Sequence, residues 1–193
     1  MNYFQKIIKE SIIIVVISSL MGLFSGMVLS ANEEILYVIP IILLILPSLN
    51  SLIGDISTVL ISRLTAHLYI GTISPKIEKS DRLKEDFIGL FITIGLSLVV
   101  LLILGHVIAL STGIQIVSPF IVILIIILTI FILFISMFGF LFISAIFIFK
   151  RGRDPNNFLI PFVTSLSDFL TPVLLIVFII IFNFLIQLIF SHI

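Results

Sequence analysis

The residue of this sequence best suited to chemistry is an acid inside a long apolar stretch. Asp168 lies within the run from about residue 158 to residue 190. A carboxylate at the depth of a lipid bilayer is costly, by about 2.5–3.5 kcal/mol on insertion scales. Such a group usually persists because it meets a partner charge, a proton or a metal ion. Asp168 is therefore the first candidate for ion binding or proton transfer.

The neighbours of Asp168 form a polar stripe. Asn157, Pro161, Thr164, Asp168 and Thr171 follow one another at intervals of 4, 3, 4 and 3 residues. On a helix this spacing puts all of them on one face, because residues three and four apart are stacked above one another. A polar stripe on an otherwise apolar helix predicts the lining of a hydrophilic path.

A second polar face is predicted in the stretch from about residue 35 to residue 70. Its small and polar members recur every four residues: Asn50, Gly54, Thr58 and Ser62. Close helix packing in lipid explains small residues by themselves, but Asp55 and Arg63 add charges that packing does not require. We expect this face and the Asp168 stripe to lie together around one hydrated path.

The partner of Arg63 is left open by the spacing. A buried ion pair with Asp168 is one interpretation, but at about 1.5 Å per residue Asp168 lies roughly 20 Å along its helix from Asp154. Arg63 lies near the end of its own stretch and so at a different depth. We expect Arg63 to meet Asp154, lipid phosphate or helix-end carbonyls, and Asp55 to match the depth of Asp168.

Composition fixes the class of protein. The chain is 61% hydrophobic, against about 45–50% in soluble domains. The apolar runs are continuous rather than alternating, which predicts an all-α integral membrane protein. The absence of Cys excludes disulfides and thiolate metal sites. A net charge of zero argues against nucleic acid as a partner.

Five transmembrane helices are predicted, at about residues 11–29, 35–70, 87–110, 117–149 and 158–190. The second is long, and Pro40, Pro47 and Gly54 are the positions at which it could bend or break. The spans that exceed the required length of about 20 residues must tilt, kink or extend beyond the lipid. They occupy most of residues 1–193, so we expect a single membrane domain and no soluble regulatory domain.

Basic residues predict the orientation. Every Lys and Arg of the connecting segments falls on one side of the five spans, whereas Glu33 and Glu34 lie on the other. The positive-inside rule makes the basic side cytoplasmic. We therefore expect a multi-pass protein of the cell membrane, with its N-terminus in the cytoplasm and its C-terminus outside. The basic residues are Lys6, Lys9, Lys76, Lys79, Arg82, Lys84, Lys150, Arg151 and Arg153.

Three other features have ordinary interpretations. Gly22 and Gly26 form a small-xxx-small motif that predicts helix packing. Ser25 between them resembles a protease nucleophile only superficially, because no histidine is placed to act as its base. His67 and His106 are single histidines on different spans, which makes a weak case for zinc.

Two segments resemble the MgtE family of divalent-cation transporters and its solute-carrier relatives. Residues 54–71 read GDISTVLISRLTAHLYIG, and residues 154–168 read DPNNFLIPFVTSLSD. In the second segment Asp, Pro, Asn, Pro, Thr and Asp stand in register with the family's signature. The five-span topology agrees, and the resemblance extends over essentially the whole chain. The chain looks most like the archaeal members of the family.

The resemblance implies magnesium transport by a dimer, of identical chains or with a paralogue, and no cofactor. Asp168 would be the main cation site on a central path lined by spans 2 and 5. Asp154 would lie at the cytoplasmic mouth, with Asn157 and Thr164 ringing the ion. Asp55 stands where relatives more often have Asn, which implies extra negative charge and a different ion preference.

Two other functions stay open. One is a proton- or sodium-coupled transporter of another solute, with Asp168 as the relay. The other is a membrane-embedded lipid enzyme in which Asp154, Asp168 and Asp55 hold a catalytic metal. The enzyme is disfavoured because these acids are spread over two helices. Magnesium-dependent growth rescue separates divalent-cation transport from these two functions, and an uptake assay in liposomes with competing ions addresses most of the remaining questions.

Overall fold

The computed structural model describes residues 3–78, 80–114, 116 and 118–190, so Lys79 of the basic loop and Val117 of the fourth predicted span lie outside the described residues. The described residues form helices and connecting turns, with no strand among them. Five of these helices, all except α2, are long and apolar enough to cross a membrane. The prediction of an all-α protein with five spans is confirmed. The helices are α1 (Tyr3–Ala31), α2 (Glu33–Val38), α3 (Pro40–Ile70), α4 (Asp81–Ser111), α5 (Pro119–Lys150) and α6 (Pro155–Phe190).

The second predicted span is broken near its start. Ile39 has φ −129° and ψ 70°, outside the helical region, and it separates α2 from α3. The residue before a proline is driven out of the helical conformation by the pyrrolidine ring. Pro40 then begins α3, where its missing N–H removes no helical hydrogen bond. Pro47 and Gly54, the other predicted break points, stay inside a continuous α3.

Helix α3 is at the centre of the protomer. It contacts α6, α5 and α4, while α1 packs mainly against α6. The buried face of α3 is aliphatic, with Ile41, Leu49, Ile53 and Ile61 almost fully enclosed. The predicted pairing of spans 2 and 5 is confirmed, because α3 and α6 share the most extensive interface of the described chain.

Two glycines bring neighbouring helices unusually close to α3. A Cβ atom at Gly54 would lie 3.2 Å from Ser167 Oγ of α6, and one at Gly105 of α4 would lie 2.6 Å from Cγ2 of Ile45. Small residues allow such close approach of helices in lipid. The polar face of α3 is therefore held directly beside α6.

The predicted packing of Gly22 and Gly26 is not found within the protomer. A Cβ atom at either glycine would meet nothing within 4 Å, and both residues are exposed. Helix α1 reaches α6 through Ser25, which is 8% exposed. Ser25 turns toward α6, and Gly26, the next residue, is rotated about 100° away from it.

Candidate cation path and its polar surroundings

The polar stripe of α6 is largely open. Asn157, Thr164 and Asp168 are exposed, and Pro161 between them is partly exposed. The helix carries these groups along one side, as the spacing predicted. The exposed carboxylate of Asp168 lies about 14 residues into a 36-residue helix, roughly 20 Å along its axis. A single protomer thus presents an acid, an amide and a hydroxyl on an outward-facing surface.

Thr171 does not belong to this open surface. Its side chain is fully buried, and its Oγ1 donates a hydrogen bond to the Ser167 carbonyl oxygen at 2.8 Å. Ser167 is itself 1% exposed and packs at the α3 interface near Gly54. Thr171 follows Ser167 by one helical turn and shares its inward face. The expectation that Thr171 lines the path does not fit the structure.

The backbone of Asp168 is tied to α1. In an unbroken helix the carbonyl of Asp168 accepts a hydrogen bond from the residue four positions later. That residue is Pro172, which has no N–H. Ser25 Oγ supplies the donor instead, at 2.7 Å from the Asp168 carbonyl oxygen. Lipid offers no alternative donor, so α1 satisfies the backbone at the candidate cation residue.

The polar face of α3 divides between two surroundings. Gly54 is buried against α6, and Asn50 and Thr58 are partly buried. Asp55 and Ser62 are exposed. The division follows from the 100° turn between consecutive helical residues, which separates Gly54 from Asp55 although the two are adjacent in sequence.

Asp55 borders a groove on the α4 side of α3. The groove has a volume of about 380 Å³. Three hydroxyl groups, those of Ser48, Ser51 and Ser97, share it with the Asp55 carboxylate. Oxygen ligands of this kind suit hard cations such as Mg²⁺ and Ca²⁺. The groove therefore adds an acidic, hydroxyl-rich surface beside the α3 stripe.

Arg63 pairs with an acid that its own sequence context does not indicate. Its Nε lies 2.6 Å and its Nη2 2.5 Å from Oδ1 of Asp86 on α4. His67 Nε2 approaches Oδ2 of the same carboxylate at 3.4 Å. Arg63 therefore pairs with Asp86. The two pairings considered from the sequence, with Asp154 and with Asp168, are not the ones that the structure shows.

The sequence predicts that Asp86 lies in the loop, because the third apolar run begins one residue later. The helix in fact begins at Asp81, so Asp86 lies in its second turn. One signal could have found it: Asp86, Leu90, Ile94 and Leu98 recur every four residues. All four are buried in the structure. An acid that extends the buried stripe of a helix predicts a charged partner on the facing helix.

Asp154 has a structural task at the start of α6. Its Oδ1 accepts a hydrogen bond from the backbone N–H of Asn156 at 2.9 Å. Asp154 precedes Pro155, the first residue of α6, so this contact is an N-cap that satisfies one of the free N–H groups of the helix. The negative charge also complements the positive end of the helix dipole.

Within the described ranges, no three His, Cys, Asp or Glu side chains gather closely enough to hold a metal ion. The acids predicted from sequence stand apart: Asp168 is in the middle of α6, Asp154 at its start and Asp55 on the groove side of α3. Among the described residues, these acids are therefore separate carboxylates and not a clustered metal centre.

The fold and these surfaces define a multi-pass helical protein of the cell membrane with carboxylates along its spans. The sequence matches the MgtE family, described as divalent cation transporters, over residues 46–180. The chain belongs to this family, which transports ions and is not a family of enzymes. No curated protein and no solved structure gives a significant match.

Proposed function

We propose that this protein transports Mg²⁺ across the membrane through a path between two protomers, with Asp168 as the main cation site. The observation that carries the proposal is the exposed stripe of Asn157, Thr164 and Asp168 on α6. Magnesium keeps most of its water and is usually bound through one or two carboxylates. A pair of Asp168 side chains, with hydroxyl and amide groups around them, matches that requirement.

A second protomer is needed to explain the exposure of these groups. In an isolated protomer, Asp168 of α6 and Asp55 of α3 would face lipid. A charged group facing lipid is costly, and a polar surface at membrane depth is tolerated where it lines a water-filled cavity. A two-fold dimer encloses such a cavity and brings two copies of Asp168 to it. The second chain is an identical copy or a paralogue.

The remaining residues have graded roles in this proposal. Asn157 and Thr164 contact the hydrated ion, and Asp154 adds negative charge at the cytoplasmic mouth while it caps α6. Asp55 tunes ion preference from the groove beside α3. Residues 1–193 act as one membrane domain with a cytoplasmic N-terminus. The reaction is transport of Mg²⁺ as cargo, without a cofactor and without catalysis.

The test is Mg²⁺ flux into liposomes that contain the purified protein and an internal fluorescent Mg²⁺ indicator. Asp168→Ala and Asp168→Asn are expected to lower flux by about tenfold or more, which corresponds to about 1.4 kcal/mol. Asp81→Asn is the matched control, because Asp81 is exposed at the start of α4 and lies outside the apolar run. Normal flux in the Asp168 variants would refute the site.

The same assay addresses the coupled-transport alternative. We expect Mg²⁺ entry driven by the Mg²⁺ gradient and the membrane potential alone. Flux that requires an imposed proton or sodium gradient would show Asp168 to be a relay for a coupling ion. Because Asp168→Asn removes charge but keeps a hydrogen-bonding group, its failure would identify charge as the required property.

A further inference from the structure

The ion pair between α3 and α4 joins two very different environments. The Asp86 side chain is 1% exposed, whereas the Arg63 side chain is 53% exposed. The carboxylate is thus fixed inside the bundle, and the guanidinium reaches it from the surface of α3. A buried carboxylate needs a partner, because an unpaired charge away from water is strongly unfavourable.

The direction of the Arg63 side chain decides whether its positive charge lies near the polar face of α3. Arg63 directly follows Ser62, which lies on the exposed side of the helix two turns after Asp55. A 100° turn separates Arg63 from Ser62 and directs it toward α4. If the guanidinium were free, its long flexible side chain could reach the end of the polar stripe. A fixed positive charge on a cation path forms an electrostatic barrier.

We propose that Asp86 is a positioning residue that holds the Arg63 guanidinium against α4 and keeps its charge out of the cation path. This inference rests on the proposed function, since it concerns the path along α3 and α6. Asp86 does not contact the transported ion. It acts through Arg63, whose Nε and Nη2 both bind Asp86 Oδ1.

The second oxygen of the carboxylate, Oδ2, faces His67 and forms no hydrogen bond among the described residues. His67 Nε2 lies 3.4 Å from Asp86 Oδ2, and His67 Nδ1 lies 2.7 Å from Thr72 Oγ1. His67 is anchored because its carbonyl accepts the N–H groups of the turn that closes α3 at Gly71. Oδ2 of Asp86 therefore faces the last turn of α3, and Oδ1 faces the guanidinium of Arg63.

The competing explanation is that the Arg63–Asp86 pair only holds α3 and α4 together. The two explanations differ because only the positioning role depends on the charge of Arg63. We expect Asp86→Asn to lower Mg²⁺ flux by about tenfold or more, because the released Arg63 then opposes the cation. The double variant Arg63→Gln with Asp86→Asn removes that charge and should recover flux to within about threefold of the unmodified protein. Normal flux in Asp86→Asn, or a double variant as slow as Asp86→Asn, would overturn the proposal.

A second measurement remains informative if Asp86→Asn fails to fold. The chain has no cysteine, so Ser62→Cys gives a single reactive thiol on the exposed side of α3. A cationic methanethiosulfonate attached to this thiol adds a positive charge one residue from Arg63. Asp86 is already paired with Arg63, so the added charge stays unpaired and should block flux. Anionic and neutral reagents of similar size add the same bulk to this face and should reduce flux several-fold less. Equal effects of all three reagents, or no effect of the cationic one, would contradict the inference.

The controls separate this inference from the proposed function. Protein that carries Mg²⁺, and loses flux in Asp168→Ala but not in Asp86→Asn, retains the proposed function and loses only the role of Asp86. Protein that carries no Mg²⁺ loses both. All variants are compared at equal amounts of folded protein, judged by a single symmetric peak in size-exclusion chromatography.

Discussion

The hydroxyl of Ser25 on α1 donates a hydrogen bond to the backbone carbonyl of Asp168 on α6, at 2.7 Å. Pro172 leaves that carbonyl without its helical donor, so the contact repairs the backbone at the residue we propose as the main cation site. The bond joins α1 to α6 and gives Ser25 a structural role in place of the nucleophilic one considered from sequence.

The Ser25 contact predicts a specific loss of stability. Ser25→Ala should destabilise the folded protein by about 0.6 kcal/mol, the mean for hydrogen bonds between membrane helices, and by at most about 1.7 kcal/mol. Unfolding in mixed micelles of increasing SDS measures this. Ser30→Ala, at an exposed position of the same helix, is the control. In a Pro172→Ala background the restored N–H should reduce the effect of Ser25→Ala; an unchanged effect would contradict the explanation.

The close approach of Gly54 to α6 predicts sensitivity to size. Gly54→Leu should destabilise the protein by about 1–3 kcal/mol or more through overpacking, because the added atoms meet Ser167 Oγ and the Thr164 backbone. Gly139→Leu is the matched control, since a Cβ atom there meets nothing within 4 Å. Thermal unfolding in detergent measures both. Equal stability of the two variants would show that α3 and α6 can separate freely.

Asp55 is predicted to tune transport rather than to permit it. Asp55→Asn removes one negative charge from the groove beside α3 but keeps an oxygen ligand. Opposite charges attract more strongly where the dielectric is low, so the half-saturating Mg²⁺ concentration or the preference among divalent ions should change several-fold. Flux measured with Mg²⁺, Mn²⁺ and Ca²⁺ tests this. Complete loss of transport would instead make Asp55 a primary ligand.

The dimeric path predicts a pattern of crosslinks between protomers. Thr164→Cys should form an intermolecular disulfide on mild oxidation, because Thr164 lies on the exposed polar stripe. Thr171→Cys should not, because Thr171 is fully buried inside the protomer. Val177→Cys is the control on the same helix, at a position that is apolar and 42% exposed. Dimer bands on non-reducing gels report the result, and preferential crosslinking at Val177 would reject the proposed interface.

The sequence by itself determined the class, the five spans and the polar character of two of them. Hydropathy is a sum over neighbouring residues, so a local reading of the chain suffices for these features. The family signatures of residues 54–71 and 154–168 are also local, and the family match covers both. The exposed polar stripe of α6 could be predicted at Asn157, Thr164 and Asp168 because helical spacing alone aligns them.

Only the tertiary structure decided which polar groups meet. Asp86 pairs with Arg63, Ser25 with Asp168, and Thr171 is enclosed. Each depends on how a helix is rotated about its axis. In a chain that is apolar on nearly every face, hydrophobic periodicity does not specify that rotation. It is specified by close contacts such as Gly54 on Ser167, and those exist only once the helices have packed.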